Sequence, residues 1–114
     1  MDNAQIARFE PLRTLAFGGV SGTYAAVGTP FVNAAHIINF DNTTDAQITL
    51  SFDGVNDHII VPSEAGKVFD LSTNRIGVVQ KLMLPQNMQV YAKQTSTGPT
   101  LGAVYISVVY ASNH

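Results

Sequence analysis

The stretch Ala46-Gln47-Ile48-Thr49-Leu50-Ser51-Phe52 alternates apolar and polar side chains and runs straight into Asp53-Gly54. Successive side chains of a strand point to opposite faces, so Ile48, Leu50 and Phe52 share one face and Gln47, Thr49 and Ser51 the other, which predicts a half-buried strand. Phe52-Asp53-Gly54-Val55-Asn56-Asp57 then carries the Asp-Gly signature of a hairpin. The same grammar recurs on both sides of this unit. Short runs rich in Val, Ile, Thr, Phe and Tyr give candidate strands at Arg13 to Phe17, Ala35 to Asn42, Ala46 to Phe52, His58 to Val61, Lys67 to Leu71, Val78 to Leu84, Met88 to Lys93 and Gly102 to Tyr110. Polar corners separate them at Asp41 to Asp45, Pro62 to Gly66, Pro85 to Asn87 and Thr95 to Pro99.

About eight short strands at spacings near ten residues, with no crossover helix between them, predict an all-β fold: a single antiparallel β-sandwich or jelly roll. The stretch Asp2 to Phe9 is the one with helical character, and Pro11 stops it, since proline disfavours helix in the residue before it. Residues 1–12 are therefore read as an extended N-terminal arm or single turn, and residues 13–114 as the sandwich domain. Gly18 to Gly28 is rich in small residues and reads as a surface loop. The last strand, Ala103 to Tyr110, is apolar on both faces, so its outer face, with Tyr105 and Val109, needs a cover.

With 114 residues the chain fits one domain. Its apolar fraction of 46% is ordinary, but its charged fraction of 12% is about half the usual ~25%. A disordered chain would be poor in apolar residues and high in net charge, whereas this one carries −2 at a mean hydropathy of +0.14. The six Lys and Arg are scattered and the pI is 5.8, which speaks against a phosphate-binding face and hence against a nucleic-acid partner. There is no Cys, so neither disulfides nor thiolate sites arise. The segment Met1 to Gln5 lacks a basic start followed by an apolar run, and nowhere are there roughly 18 consecutive apolar residues, so neither a secretory signal nor a membrane segment is expected.

Chemistry-bearing residues are sparse. Asp53, Asp57 and His58 are close enough in sequence to be weak candidates for a metal site, but Asp-Gly and Asn-Asp are ordinary turn formers and the spacing matches no calcium loop. Asp41 and Asp45 flank a Thr-Thr corner and read as turn formers, and His36 opens a strand as a packing residue. No nucleophile elbow, paired His or phosphate-binding glycine loop is present. The chain is therefore expected not to be an enzyme and to need no cofactor. Only Lys67, Lys81 and Lys93 supply the lysines that usually keep edges apart, so the exposed faces suit contact with other subunits. The residues expected at such contacts are Phe9, Leu12, Phe31, Tyr91, Tyr105 and Val109, because aromatic and large aliphatic groups dominate interface energetics. The arm is expected to reach a neighbouring protomer.

The run Phe40-Asp41-Asn42-Thr43-Thr44-Asp45-Ala46, then Ile48 to Leu50, Ser51-Phe52-Asp53-Gly54-Val55-Asn56-Asp57-His58, Val61-Pro62, Asp70 and Asn74, resembles small structural proteins of tailed bacteriophage particles. The closing Gly102 to Ala111 is similar to their last strand, and the likeness extends from about Phe17 onward. The resemblance implies a virion component made and assembled in the bacterial cytoplasm. Its expected station is as a capsid decoration (cement) protein, or in the neck, collar or tail, with partners among its own copies and a major capsid or portal protein. A carbohydrate-binding module that grips a cell surface is the alternative, although there is no Trp and the tyrosines are Tyr24, Tyr91, Tyr105 and Tyr110.

Overall fold

The computed structural model describes residues 5–70, 75–76, 80–81 and 84–113. Its strands are β1 (Gln5–Phe9), β2 (Arg13–Ala16), β3 (Ala25–Ala26), β4 (Ile37–Asn42), β5 (Ile48–Ser51), β6 (Ile59–Val61), β7 (Ala65–Asp70), β8 (Arg75–Ile76), β9 (Gln80–Lys81), β10 (Tyr91–Gln94) and β11 (Ala103–Asn113). One sheet runs β1-β11-β4-β7, with β2 also on β11; the other runs β3-β10-β5-β6; β8 and β9 pair separately. All pairings are antiparallel. The partners β5–β6, β4–β7, β3–β10 and β2–β11 nest one inside the next along the chain. That nesting is the topology of an eight-stranded jelly roll, so the all-β sandwich expected from the alternating runs is the fold observed.

The inner faces meet in a core of Val27, Phe31, Ile38, Phe40, Ile48, Leu50, Val61, Val90, Val104, Ile106 and Val108, each at most 2% exposed. Phe40 is central, with Phe69 and Phe52 edge-on to it at centroid distances of 5.7 and 6.2 Å. Strand β4 shows why the sequence chose this arrangement. Its Ile38, Phe40 and Asn42 point inward, while Ile37, Asn39 and Asp41 point outward.

Four expectations need correction. Gln5–Phe9 is not helical but extended, and it pairs within its own chain, with Val109–Asn113 of β11, residue for residue from Phe9↔Val109 to Gln5↔Asn113. β1 and β2 thus share one neighbour, separated by Glu10-Pro11-Leu12, where Pro11 has no N–H to offer a ladder. Met1 to Ala4 lies outside the described residues. Second, β5 is buried on both faces, with Thr49 and Ser51 at 2% and 0% exposure. Thr49 bonds the Thr95 hydroxyl at 2.8 Å, and Ser51 is roofed by its own hairpin through Asp53 and Gly54. Third, Phe31, expected at a contact, is 1% exposed and stacks under the Arg13 guanidinium, 5.3 Å from the ring centroid. Fourth, the Gly18 to Gly28 stretch contributes β3, which is invisible to pattern reading because Ala25–Ala26 is so short. Of Lys67 to Leu71, the Leu71 end lies outside the described residues, as does part of Val78 to Leu84, where β9 and the Ala35↔Leu84 bridge are seen.

The corner Asp41 to Asp45 is held by a buried polar knot. Asn42 donates from Nδ2 toward the carbonyls of Ala46, Val61 and Pro62, at 2.8, 3.1 and 3.1 Å, and accepts at Oδ1 from the Thr44 N–H and hydroxyl. Thr43 exchanges bonds with Ala103, its hydroxyl donating to the carbonyl and accepting from the N–H, both at 3.0 Å. Asp45 accepts from the backbone and hydroxyl of Thr100. Three segments of the chain, 42–46, 61–62 and 100–103, meet at this corner.

Candidate functional site

Inward burial of Val104, Ile106 and Val108 puts Tyr105, Ser107 and Val109 on the outer face of β11. The strand register extends that face sideways. One row reads Phe9, Val109, Ile37, Asp70; the next Ser107, Asn39, Val68; a third Thr14, Tyr105, Asp41, Gly66. Phe9 is 73% exposed and Val68 62%, and Tyr105, Val109 and Ile37 are half-buried between their neighbours. Two charged positions fall on these rows: Asp70, which the register sets opposite Ile37, and Asp41, whose carboxylate accepts from the Asn39 amide at 3.2 Å. The face is therefore partly apolar, with its charge confined to two acidic positions.

Of the residues expected at contacts, Phe9, Tyr105 and Val109 come together here. Leu12, 58% exposed, sits at the break between β1 and β2, beside a 240 Å³ pocket lined with Pro11, Arg13, Gly28 and Val32. Tyr91 belongs to the other sheet, and Phe31 is core. Ile37 and Val68 were not anticipated. The outward parity of Ile37 is readable from the alternation Ile37-Ile38-Asn39-Phe40, but Val68 joins it only through the β4–β7 register.

The acidic and histidine candidates are engaged in holding their loop. Asp53 accepts from the backbone N–H groups of Asn56 and Val55, the Asn56 amide and the Ser51 hydroxyl, and these bonds hold its carboxyl far below the usual carboxylate range. Asp57 accepts from the Tyr24 hydroxyl and lies 3.2 Å from Lys93 Nζ, both of which lower its pKa. His58 accepts the Phe52 N–H at Nδ1, 3.0 Å away. Among the described residues, no three His, Asp or Glu side chains gather with metal-ligand geometry. An open depression of 340 Å³ lies between Asp41, Thr43, Glu64 and Gly66, and the Thr43 hydroxyl there donates to the Ala103 carbonyl.

The tyrosines of the smaller sheet are likewise engaged. Lys93 Nζ lies 4.7 Å from the centre of the Tyr24 ring, and the Tyr91 ring covers Gly54, where a Cβ would stand 3.3 Å from it. Burial, and then donation to Asp57, push the Tyr24 hydroxyl up to about 12 from its usual 10.0. A tyrosine whose folded pKa is raised stabilises the fold fully below pH 10, and the contribution is lost as pH climbs through 12. Tyr24→Phe should therefore remove one component of alkaline destabilisation. Urea midpoints of both proteins at pH values on either side of this window should show the wild type losing more than the variant; parallel losses would refute the assignment.

A scan against protein-family models finds no match to this chain, and a search of curated proteins finds no similar sequence.

Proposed function

We propose that the chain is a structural subunit of a tailed-bacteriophage particle: a head decoration (cement) protein that bridges shell subunits, or a ring component of the neck, collar or tail. The observation that carries this reading is the outer face of the larger sheet, where Phe9, Val109, Ile37, Val68 and Tyr105 share the register rows with two acidic positions, Asp41 and Asp70, and no basic one. A partly apolar surface without basic residues matches another protein's surface better than it matches phosphate. The jelly roll is consistent with this reading but does not select it, since lectin and viral coat domains share the architecture and function resides in the site. The sequence resemblance adds the particle.

As a decoration protein the chain would lay this face across the seam between neighbouring shell subunits, adding buried area that resists pressure from the packaged genome. As a ring component it would repeat a head-to-tail contact around the portal axis. Both uses need a rigid platform, which the buried knot around Asn42 supplies at one end of β4. Antibodies raised against the chain should label purified particles. The double variant Val68→Lys and Val109→Lys, which places two charges on the outer face and none in the core, should fold yet fail to co-sediment with particles that lack the native chain. Absence of the chain from purified particles, or undiminished binding by the folded double variant, would overturn the reading. Saturable binding to a glycan array, lost on Tyr91→Ala, would instead support the carbohydrate module.

A further inference from the structure

The free edge of β1 carries information that the outer face does not. Backbone bonds from Glu10 N–H to the Val108 carbonyl and from Phe17 N–H to the Gly102 carbonyl show that even-numbered residues of β11 turn their polar groups toward β1 and β2. Bonds from His36 to Val109 and from Thr43 to Ala103 show that odd-numbered residues turn theirs toward β4. With the register Arg8↔Tyr110, it is then Arg8 and Ile6 that exchange ladder bonds with β11. The N–H and C=O groups of Gln5, Ala7 and Phe9 point the other way, and among the described residues no strand lies there.

Three features distinguish this edge from one protected against pairing. Its sequence, Gln-Ile-Ala-Arg-Phe, contains neither Lys nor Pro, and Pro11 follows only after the strand has ended. Phe9 stands 73% exposed on it. Beyond Val109, moreover, β11 has outrun β4, whose pairing ends at Val109↔Ile37, so β1 and the end of β11 form a two-stranded ribbon among the described residues. Two strands by themselves are marginal in water, and further strands stabilise them.

We propose that this edge pairs with the same edge of a second copy of the chain, antiparallel about a two-fold axis at Ala7. About that axis Ala7 faces Ala7, and Gln5 faces Phe9 on either side. Every outward polar group of the segment then finds its complement, in about six backbone hydrogen bonds. The residue on the axis is small, so the strands meet without a clash of side chains. Arg8 falls opposite position 6 of the other copy, so the two Arg8 residues are diagonal neighbours on one face and no like charges are directly opposed. The two ribbons become a four-stranded sheet with one sandwich at each end. This names a self-contact within the assembly reading above and rests on that reading for its setting in a particle; its test involves no particle, so either idea can fail alone.

Because the chain has no cysteine, Ala7→Cys introduces a unique thiol. Opposed residues in a hydrogen-bonded antiparallel pair have Cα atoms about 5.5 Å apart, within disulfide range. Mild oxidation should convert this variant to a covalent dimer at least about tenfold faster than Ala16→Cys, a control on β2 that is also exposed, since a preformed pair raises the local thiol concentration. Ala7→Pro removes only an outward N–H, which an edge strand tolerates. It should keep the native circular dichroism while raising the concentration for half-dimerisation, read by light scattering, at least about tenfold. Equal cross-linking of the two cysteine variants would overturn the proposal. So would an unchanged mass distribution in a folded Ala7→Pro, or loss of association in Ala7→Pro without cross-linking at position 7, which would place a different strand on this edge.

Discussion

Gly102→Ala should destabilise the fold by about 4 kcal/mol or more, placing it among the exceptional single substitutions. Two independent costs combine. Gly102 has φ +84, a region that penalises any side chain by roughly 1–3 kcal/mol. An added Cβ would also stand 2.7 Å from the Thr43 carbonyl carbon and 2.9 Å from Thr44 Cα, nearer still to the Thr43 carbonyl oxygen, and these are backbone atoms that cannot swing aside. They belong to the corner in which Thr43 exchanges bonds with Ala103 and Thr44 is fully buried, so relaxing the clash would pull apart the start of β11 and the Asn42 knot together. For a domain of this size the expected fall in thermal midpoint is at least about 15 °C. Thermal unfolding by circular dichroism checks it. Gly18→Ala, where a Cβ meets nothing within 4 Å, is the control and should change little; a Gly102→Ala midpoint close to that control would refute the account.

The alternating runs revealed most of this fold because period-two burial is a local signal. β4, β5 and β11 were recognisable from their own residues, and the Asp53-Gly54 turn from chain geometry, with Gly54 at φ +77. What stayed hidden depends on partners distant in sequence. β1 looks helical in isolation, and only the unusual length of β11 provides it with a neighbour. Thr49 and Ser51 read as solvent-facing because the cover supplied by Thr95 and the folded-back hairpin is tertiary. Phe31 read as a contact residue because nothing nearby in sequence announces that Arg13 and the core enclose it.

For the site the lesson is similar. Tyr105 and Val109 were identifiable as outward residues because both parities of the last strand are apolar, and one parity has to face away from the core. Which other residues join them is a matter of register, which brings in Phe9, Ile37 and Val68 from three other strands. The stretch Asn42-Thr43-Thr44-Asp45, prominent in the resemblance to phage proteins, proves to hold the corner by hydrogen bonds to Ala46, Val61, Ala103 and Thr100. Its residue types follow from folding, so the outer face, and not this motif, bears the functional argument.

Arg13→Met should cost about 3 kcal/mol or more, because it removes one partner of a buried pair and leaves the other charged. Glu10 and Arg13 are 6% and 5% exposed and lie 2.6 Å apart where the edge breaks between β1 and β2. Arg13 also donates to the carbonyls of Pro11, Thr29 and Pro30, and Glu10 accepts from the backbone of Val32 and Asn33 and the Asn33 amide. The pair thereby clamps the 28–33 loop to the root of the β1 ribbon. Burial works to raise the Glu10 pKa, but Arg13 and these donors outweigh it and hold the carboxyl below its usual value. A depressed carboxyl stabilises the fold above its unfolded pKa, and that contribution is lost as pH falls through the folded value. Without Arg13 the balance tips back toward burial, so the deficit of Arg13→Met should be largest at neutral pH and shrink on acidification, as Glu10 takes up a proton. Adding Glu10→Gln should recover part of the loss at neutral pH by removing the stranded charge, a non-additivity that urea titrations of the four proteins would measure directly. Additive losses that do not change with pH would show that packing of the Arg13 stem over Phe31, and not charge, holds the break together.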